Sequence, residues 1–200
     1  VLYNDILSFN CEIATALLQS PKGVFTETCA LNLLQRVPGR VYQTIIEDNF
    51  EDIYYPREEN RLIDTVIQNI SFLNDDERAS AYYVLFQSCM IKRPFNIFHR
   101  RNLNLRTSFI KANFGNKTTW EQSFESLFVK FTQELNEFQF AVLPRVEVSN
   151  MSALHCDREA DLVYIDTPYF REKQSAAITY HNRYHFLEGL MHYEDIPEQI

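Results

Sequence analysis

The chain has 200 residues, 46% of them hydrophobic and 14% aromatic, and a net charge of −8. That is enough apolar material for one domain with a real core, and it excludes a disordered tract or a collagen-like repeat. No apolar stretch approaches the ~18 uninterrupted residues of a bilayer span and no basic-then-apolar leader opens the chain, so a soluble, cytoplasmic protein without a membrane partner is expected.

Taken in chain order, Val1–Asp5 reads as a short apolar strand ending in an acid, followed by a helix from about Ser8 to Gln19 with Phe9, Ile13, Ala16 and Leu17 on one face. Pro21-Lys22-Gly23 closes that helix, and the stretch from Val41 to Glu59 is acidic and aromatic around Tyr54-Tyr55-Pro56. Two helices are predicted next. Arg61–Ile70 puts Leu62, Ile63, Val66, Ile67 and Ile70 on one side, and Asp76–Met90 follows the Asn74-Asp75 break. A further helix is predicted from Trp120 to Phe138, with Thr118 and Glu121 as a capping-box pair and an apolar stripe of Trp120, Phe124, Leu127, Phe128, Phe131, Leu135 and Phe138. Val146-Glu147-Val148 reads as a short strand. Leu162–Ile165 is a continuous apolar run of the kind found in parallel strands buried on both faces, and Arg183–Tyr193 completes the elements as a helix.

The charge is unevenly spread. From Arg78 to Trp120 there is no Asp or Glu, while the same 43 residues hold eight cations: Arg78, Lys92, Arg93, Arg100, Arg101, Arg106, Lys111 and Lys117. The remaining 157 residues carry 11 Lys and Arg against 27 Asp and Glu, a net of −16. A basic island on an acidic body is the footprint of a polyanion-binding face, although cations that balance acids elsewhere in the fold give the same pattern. Within the island, the run from Arg93 to Asn102 mixes guanidiniums, amides and rings suited to phosphates, base edges and stacking. The four cysteines have no CxxC spacing and no clustered His, so reduced, buried thiols and no metal site are expected. The four glycines are too scattered to form a glycine-rich cofactor loop, and a chain that opens on Val1 without Met reads as a segment of a longer protein.

Asp166-Thr167-Pro168-Tyr169-Phe170 directly follows the apolar run, and the C-terminal end of a parallel strand is where open α/β sheets place reactive side chains. Leu162 to Tyr169 resembles motif IV of the amino-methyltransferases, usually Asp-Pro-Pro-Tyr, and the chain more narrowly resembles the Dam-like class of DNA adenine-N6 methyltransferases. Three further stretches carry the likeness: Val1 to Ile6 resembles the strand whose acid binds the cofactor ribose, Arg93 to Arg100 resembles a signature of the recognition insert in restriction–modification members, and Tyr184 to Leu190 resembles the helix after motif IV. Thr167 stands where the family has its first Pro, Ser152 stands near where relatives have an acid, and the family's Phe-x-Gly-x-Gly motif is absent.

This resemblance implies an α/β fold: a partial, Rossmann-like sheet from residues 1–40 and 141–200, with a mostly helical target-recognition insert over 41–140. It implies S-adenosylmethionine as cofactor, held by Asp5, Asn150 and Ser152. Double-stranded DNA is the implied partner, with a cognate restriction endonuclease beside it. Asp166 and the Thr167 carbonyl would accept the two N–H bonds of a flipped adenine amino group, Pro168 would stiffen the turn, and Tyr169 and Phe170 would stack on the base. Arg93, Arg100, Arg101, Arg106, Lys111 and Lys117 would meet phosphates, with His99 and Asn102 nearer the bases. A catalytically silent DNA-binding module, or transfer to RNA or to a glutamine side chain, is the alternative.

Overall fold

The computed structural model describes residues 1–98, 101–108, 117–140, 146–156, 159–166 and 176–199. Leu2–Asp5 forms β1 and Glu147–Asn150 forms β2, and the two pair in parallel with Leu2 opposite Glu147 and Asp5 opposite Asn150. Parallel neighbours need a long crossover, and here helices supply it. They are α1 (Ser8–Leu18), α2 (Glu27–Leu33), α3 (Ile45–Asn49), α4 (Arg57–Ile70), α5 (Asp75–Ile91), α6 (Asn104–Thr107), α7 (Lys117–Trp120) and α8 (Phe124–Phe138). After β2 come α9 (Ala176–Met191) and the short α10 (Ile196–Gln199).

α5 lies at the centre, packed against α1, α8 and α4. Asn74 caps it by accepting the Glu77 N–H at 3.0 Å, and Asp75, Asp76 and Glu77 place negative charge on its positive end. Beyond the first turn its small and apolar residues, Ala79, Ala81, Val84, Leu85, Phe86 and Cys89, are all buried. A helix buried on so many sides shows no single apolar stripe, unlike α4 and α8. α4 buries Ile63, Val66, Ile67 and Ile70; α8 buries Phe124, Leu127, Phe128, Phe131 and Leu135. One apolar cluster joins these to Phe9 of α1, Leu33 of α2 and Phe186, Leu187 and Leu190 of α9, so residues from both ends and the middle of the chain share a core.

Two expectations need correction. The helix predicted from Trp120 is interrupted, because Arg106 and Lys92 donate to the Trp120 carbonyl at 3.3 and 3.4 Å and Lys92 also donates to the Gln122 carbonyl. Carbonyls held by cations leave the helical ladder, and α8 restarts with Ser123, whose hydroxyl accepts the Ser126 N–H at 3.2 Å, in place of the Thr118/Glu121 cap. The apolar run Leu162–Ile165 is no strand in the described structure, and its four residues are between 63% and 88% exposed. A strand buried on both faces needs paired neighbours and covering helices. Among the described residues β1 and β2 pair only with each other, and the run stands apart from them.

α3 is fastened to α4 by charge. Buried Asp64 accepts the N–H groups of Ile46 and Glu47 at 2.8 and 2.9 Å. The nearly buried Glu47 carboxylate takes Arg61 at 2.8 Å and Arg57 at 2.6 Å, and these hydrogen bonds hold its pKa down at about 2. A carboxyl depressed on folding contributes stability above its unfolded pKa of about 4.5, and that contribution is lost as pH falls towards 2. Urea denaturation of wild type and Glu47→Gln is therefore expected to show a fixed difference in midpoint above about pH 5 that closes near pH 2. Salt should shrink the difference, since both arginines face water.

Candidate active site

Asp5 ends β1, where the chain turns into α1. Its carboxylate Oδ1 accepts the Leu7 N–H at 2.8 Å, and Oδ2 accepts Asn10 Nδ2 at 3.0 Å and the Tyr3 hydroxyl at 3.4 Å. Asn10 sits in the first turn of α1, and in the sequence only its spacing of five residues from Asp5 marks it. Burial and the neighbouring Asp5 charge push the Tyr3 phenol well above its ordinary range, so it stays a donor at neutral pH. Each carboxylate oxygen accepts two hydrogen bonds, and Oδ1 therefore keeps acceptor capacity for a ligand hydroxyl.

The parallel register sets Asn150 beside Asp5, at the C-terminal end of the strand pair where open α/β sheets bind ligands. Asn150 Nδ2 donates to the Asp5 carbonyl at 3.0 Å, and its Oδ1 accepts the Ser8 hydroxyl at 3.3 Å. Ser152 begins the 3-10 turn Ala153–His155 and accepts the Leu154 N–H at 3.4 Å.

A cleft of about 1600 Å³ opens alongside β1. It exceeds the ~300–1,000 Å³ usual for one small ligand. Asp5 and Asn10 line it from the β1 side, and Leu162, Tyr164 and Asp166 from the exposed run. The structure thus brings two acids 161 positions apart in sequence, Asp5 and Asp166, onto one cavity. Among the described residues its lining holds five acids, Asp5, Glu147, Glu159, Asp161 and Asp166, and no Lys or Arg side chain. Such a cavity favours a cationic ligand and repels phosphate. Thr167, Pro168, Tyr169 and Phe170 lie outside the described residues.

Among the described cations of the basic island, Lys92, Arg93 and Arg106 are turned inward. Arg93, expected at a phosphate, is wholly buried: its Nη1 donates to the Tyr54 carbonyl at 3.1 Å, its Nη2 to Asn102 Oδ1 at 2.5 Å, and its guanidinium lies 4.7 Å from the Tyr54 ring centroid. Burial lowers its pKa from the usual arginine value. Phe98, expected to offer a stacking surface, stacks instead on Phe186 of α9 at 4.9 Å, and its N–H donates to the Arg183 carbonyl at 2.8 Å. Arg106 and buried Lys92 share Glu59 of α4 at 2.7 and 2.8 Å, so the balancing acid comes from outside the acid-free stretch. Asn102 is half-buried, and Arg101 is exposed. His99, Arg100 and Lys111 lie outside the described residues, as does the side chain of Lys117.

Against known proteins, the chain is 26% identical over 180 residues to the Type II methyltransferase M2.HphI of Haemophilus parahaemolyticus, covering 84% of this chain and 52% of that protein. It therefore spans about half the length of the curated relative it matches. The match agrees with the resemblance to methyltransferases of restriction–modification type. No family model and no solved structure matches the chain.

The two arginines at the ends of the 93–101 segment should behave oppositely. Arg93→Ala opens a cavity and strands buried acceptors, and is expected to cost roughly 3 kcal/mol of stability. Arg101→Ala should stay within about 0.5 kcal/mol of wild type, as exposed substitutions do. Chemical denaturation of both variants reads the difference directly.

Proposed function

We propose that the chain is part of an S-adenosylmethionine-dependent DNA methyltransferase of a restriction–modification system, acting on the N6 amino group of adenine. The observation that carries this reading is the cleft on which Asp5 and Asp166 meet. The curated methyltransferase relative supports it. On this reading β1 and β2 belong to a Rossmann-like sheet and residues 41–140 form the target-recognition insert. The protein works in the cytoplasm beside a cognate endonuclease.

The residues suit the cofactor by charge and by hydrogen bonding. S-adenosylmethionine supplies a methyl group activated by a positively charged sulfur. Asp5 accepts from a ribose hydroxyl with its remaining Oδ1 capacity, and the carboxylates lining the cleft favour the positive sulfur; Asn150 and Ser152 flank the lining residue Met151 and are given to the cofactor's adenine side by the family resemblance alone.

An adenine amino group is a poor nucleophile because its lone pair is delocalised into the ring. Asp166 and the Thr167 carbonyl accept its two N–H bonds and so localise that lone pair. The N–C bond forms as the S–C bond breaks, and the nitrogen sheds one proton to Asp166 or to water. Pro168 stiffens the turn, and Tyr169 and Phe170 stack on the flipped base. An acidic cleft repels the DNA backbone, so phosphates are met outside it, by Arg101 together with Arg100, Lys111 and Lys117, with His99 nearer the bases.

The test is transfer of labelled methyl to adenine-containing duplex by the full-length protein, with nucleoside analysis for N6-methyladenine. Asp166→Ala should lower kcat by about 10² or more while leaving the thermal midpoint unchanged, because Asp166 is exposed. Wild-type turnover in that variant would refute the assignment, and duplex binding without any transfer by the wild type would favour the silent module.

A further inference from the structure

α1 starts abruptly. Its capping position is Leu7, whose side chain offers no acceptor, yet the first amides of the helix are satisfied. Glu188 of α9, 180 residues away, accepts the Ser8 N–H on Oε1 at 2.9 Å and the Phe9 N–H on Oε2 at 3.1 Å. A carboxylate in this place answers both the unpaired donors and the positive end of the helix. Glu188 is itself held firmly, because Phe186, Leu187 and Leu190 around it are buried in the core.

The amides it fixes lie next to the cofactor candidates. Asp5 Oδ1 takes the Leu7 N–H, one residue before Ser8, and Asp5 Oδ2 takes Asn10, one residue after Phe9. The Ser8 hydroxyl reaches Asn150. Moving the first turn of α1 therefore turns the Asp5 carboxylate and disturbs Asn150 together.

We infer that Glu188 is a positioning residue for the cofactor site, fixing Asp5 and Asn150 through the first turn of α1. It ties the helix that follows Asp166 in sequence to the opposite wall of the cleft. This inference rests on the methyltransferase reading for its ligand, though its structural half stands without one.

The test uses the full-length protein with S-adenosylhomocysteine in calorimetry, S-adenosylmethionine in steady-state kinetics, and amide hydrogen exchange without ligand. Glu188→Gln sets an NH2 group against an N–H donor. It should raise the S-adenosylhomocysteine Kd and the S-adenosylmethionine KM about ten-fold, the equivalent of one charged hydrogen bond lost. The value of kcat at saturating cofactor should stay within about two-fold, since only the ligand's binding is affected. Exchange at Leu7, Ser8 and Phe9 should quicken while the rest of α1 is unchanged. Phe131→Leu in α8, which loosens the core at a residue that does not line the cleft, should lower the melting temperature and leave Kd as in wild type. Unchanged Kd in Glu188→Gln, or unchanged exchange at Leu7–Phe9, would overturn the positioning role. A wild type that fails to bind S-adenosylhomocysteine would overturn the methyltransferase reading and this inference with it, whatever the exchange data show.

Discussion

The fold depends on the burial of α5. A helix enclosed by α1, α8 and α4 can be stable only if all three are in place, since no single neighbour covers it. Phe86 meets Phe9 of α1 edge-on at 5.8 Å, while Cys89 accepts the Tyr55 hydroxyl at its carbonyl at 2.7 Å. Through these contacts the helix that carries Asn10 beside Asp5 rests on the same core as the segment that carries the basic residues. Deleting bulk from α5 would loosen both at once.

The acid-free stretch shows how a linear charge count and a three-dimensional one diverge. Arg93, Lys92 and Arg106 lie close in sequence to exposed Arg101, but in space they join α4 to α7 and to the segment before α4. Glu59 and the carbonyls of Tyr54 and Gln122 lie outside the acid-free stretch, while Asn102 and the Trp120 carbonyl complete the set from within it. Tyr54 adds to this junction: its hydroxyl donates to the Phe98 carbonyl and meets His185 Nε2, both at 2.8 Å. Burial lowers the pKa of His185, so the ring serves there as a neutral hydrogen-bonding group at physiological pH. What sequence presents as an interface signature serves, in its described part, to anchor α9.

Elements with strong period were legible from residues alone. α1, α4 and α5 and the apolar face of α8 follow the predicted spans closely, because local amphipathic spacing or a long apolar run decided them. α2 and α3 give no periodic signal, since one is seven residues and the other five. Leu162–Ile165 misled in the opposite sense, since apolar content records what a segment could bury and not whether a neighbour is there to bury it. Of the candidate site, Asp5 and Asn150 fell together because register in a parallel pair puts strand ends side by side. Glu188 carried no local signal. A side chain that caps a helix 180 residues earlier is visible only once both have been placed.

The carboxylate-rich lining of the cleft has a kinetic corollary. In the proposed reaction the sulfur carries a positive charge before transfer and none afterwards. The attraction that helps the fresh cofactor settle is thus withdrawn by the reaction itself, and the spent molecule departs from a site that has lost part of its hold on it. On the proposed reading, the loss of charge at the sulfur should make the spent molecule bind these walls less tightly than the fresh one.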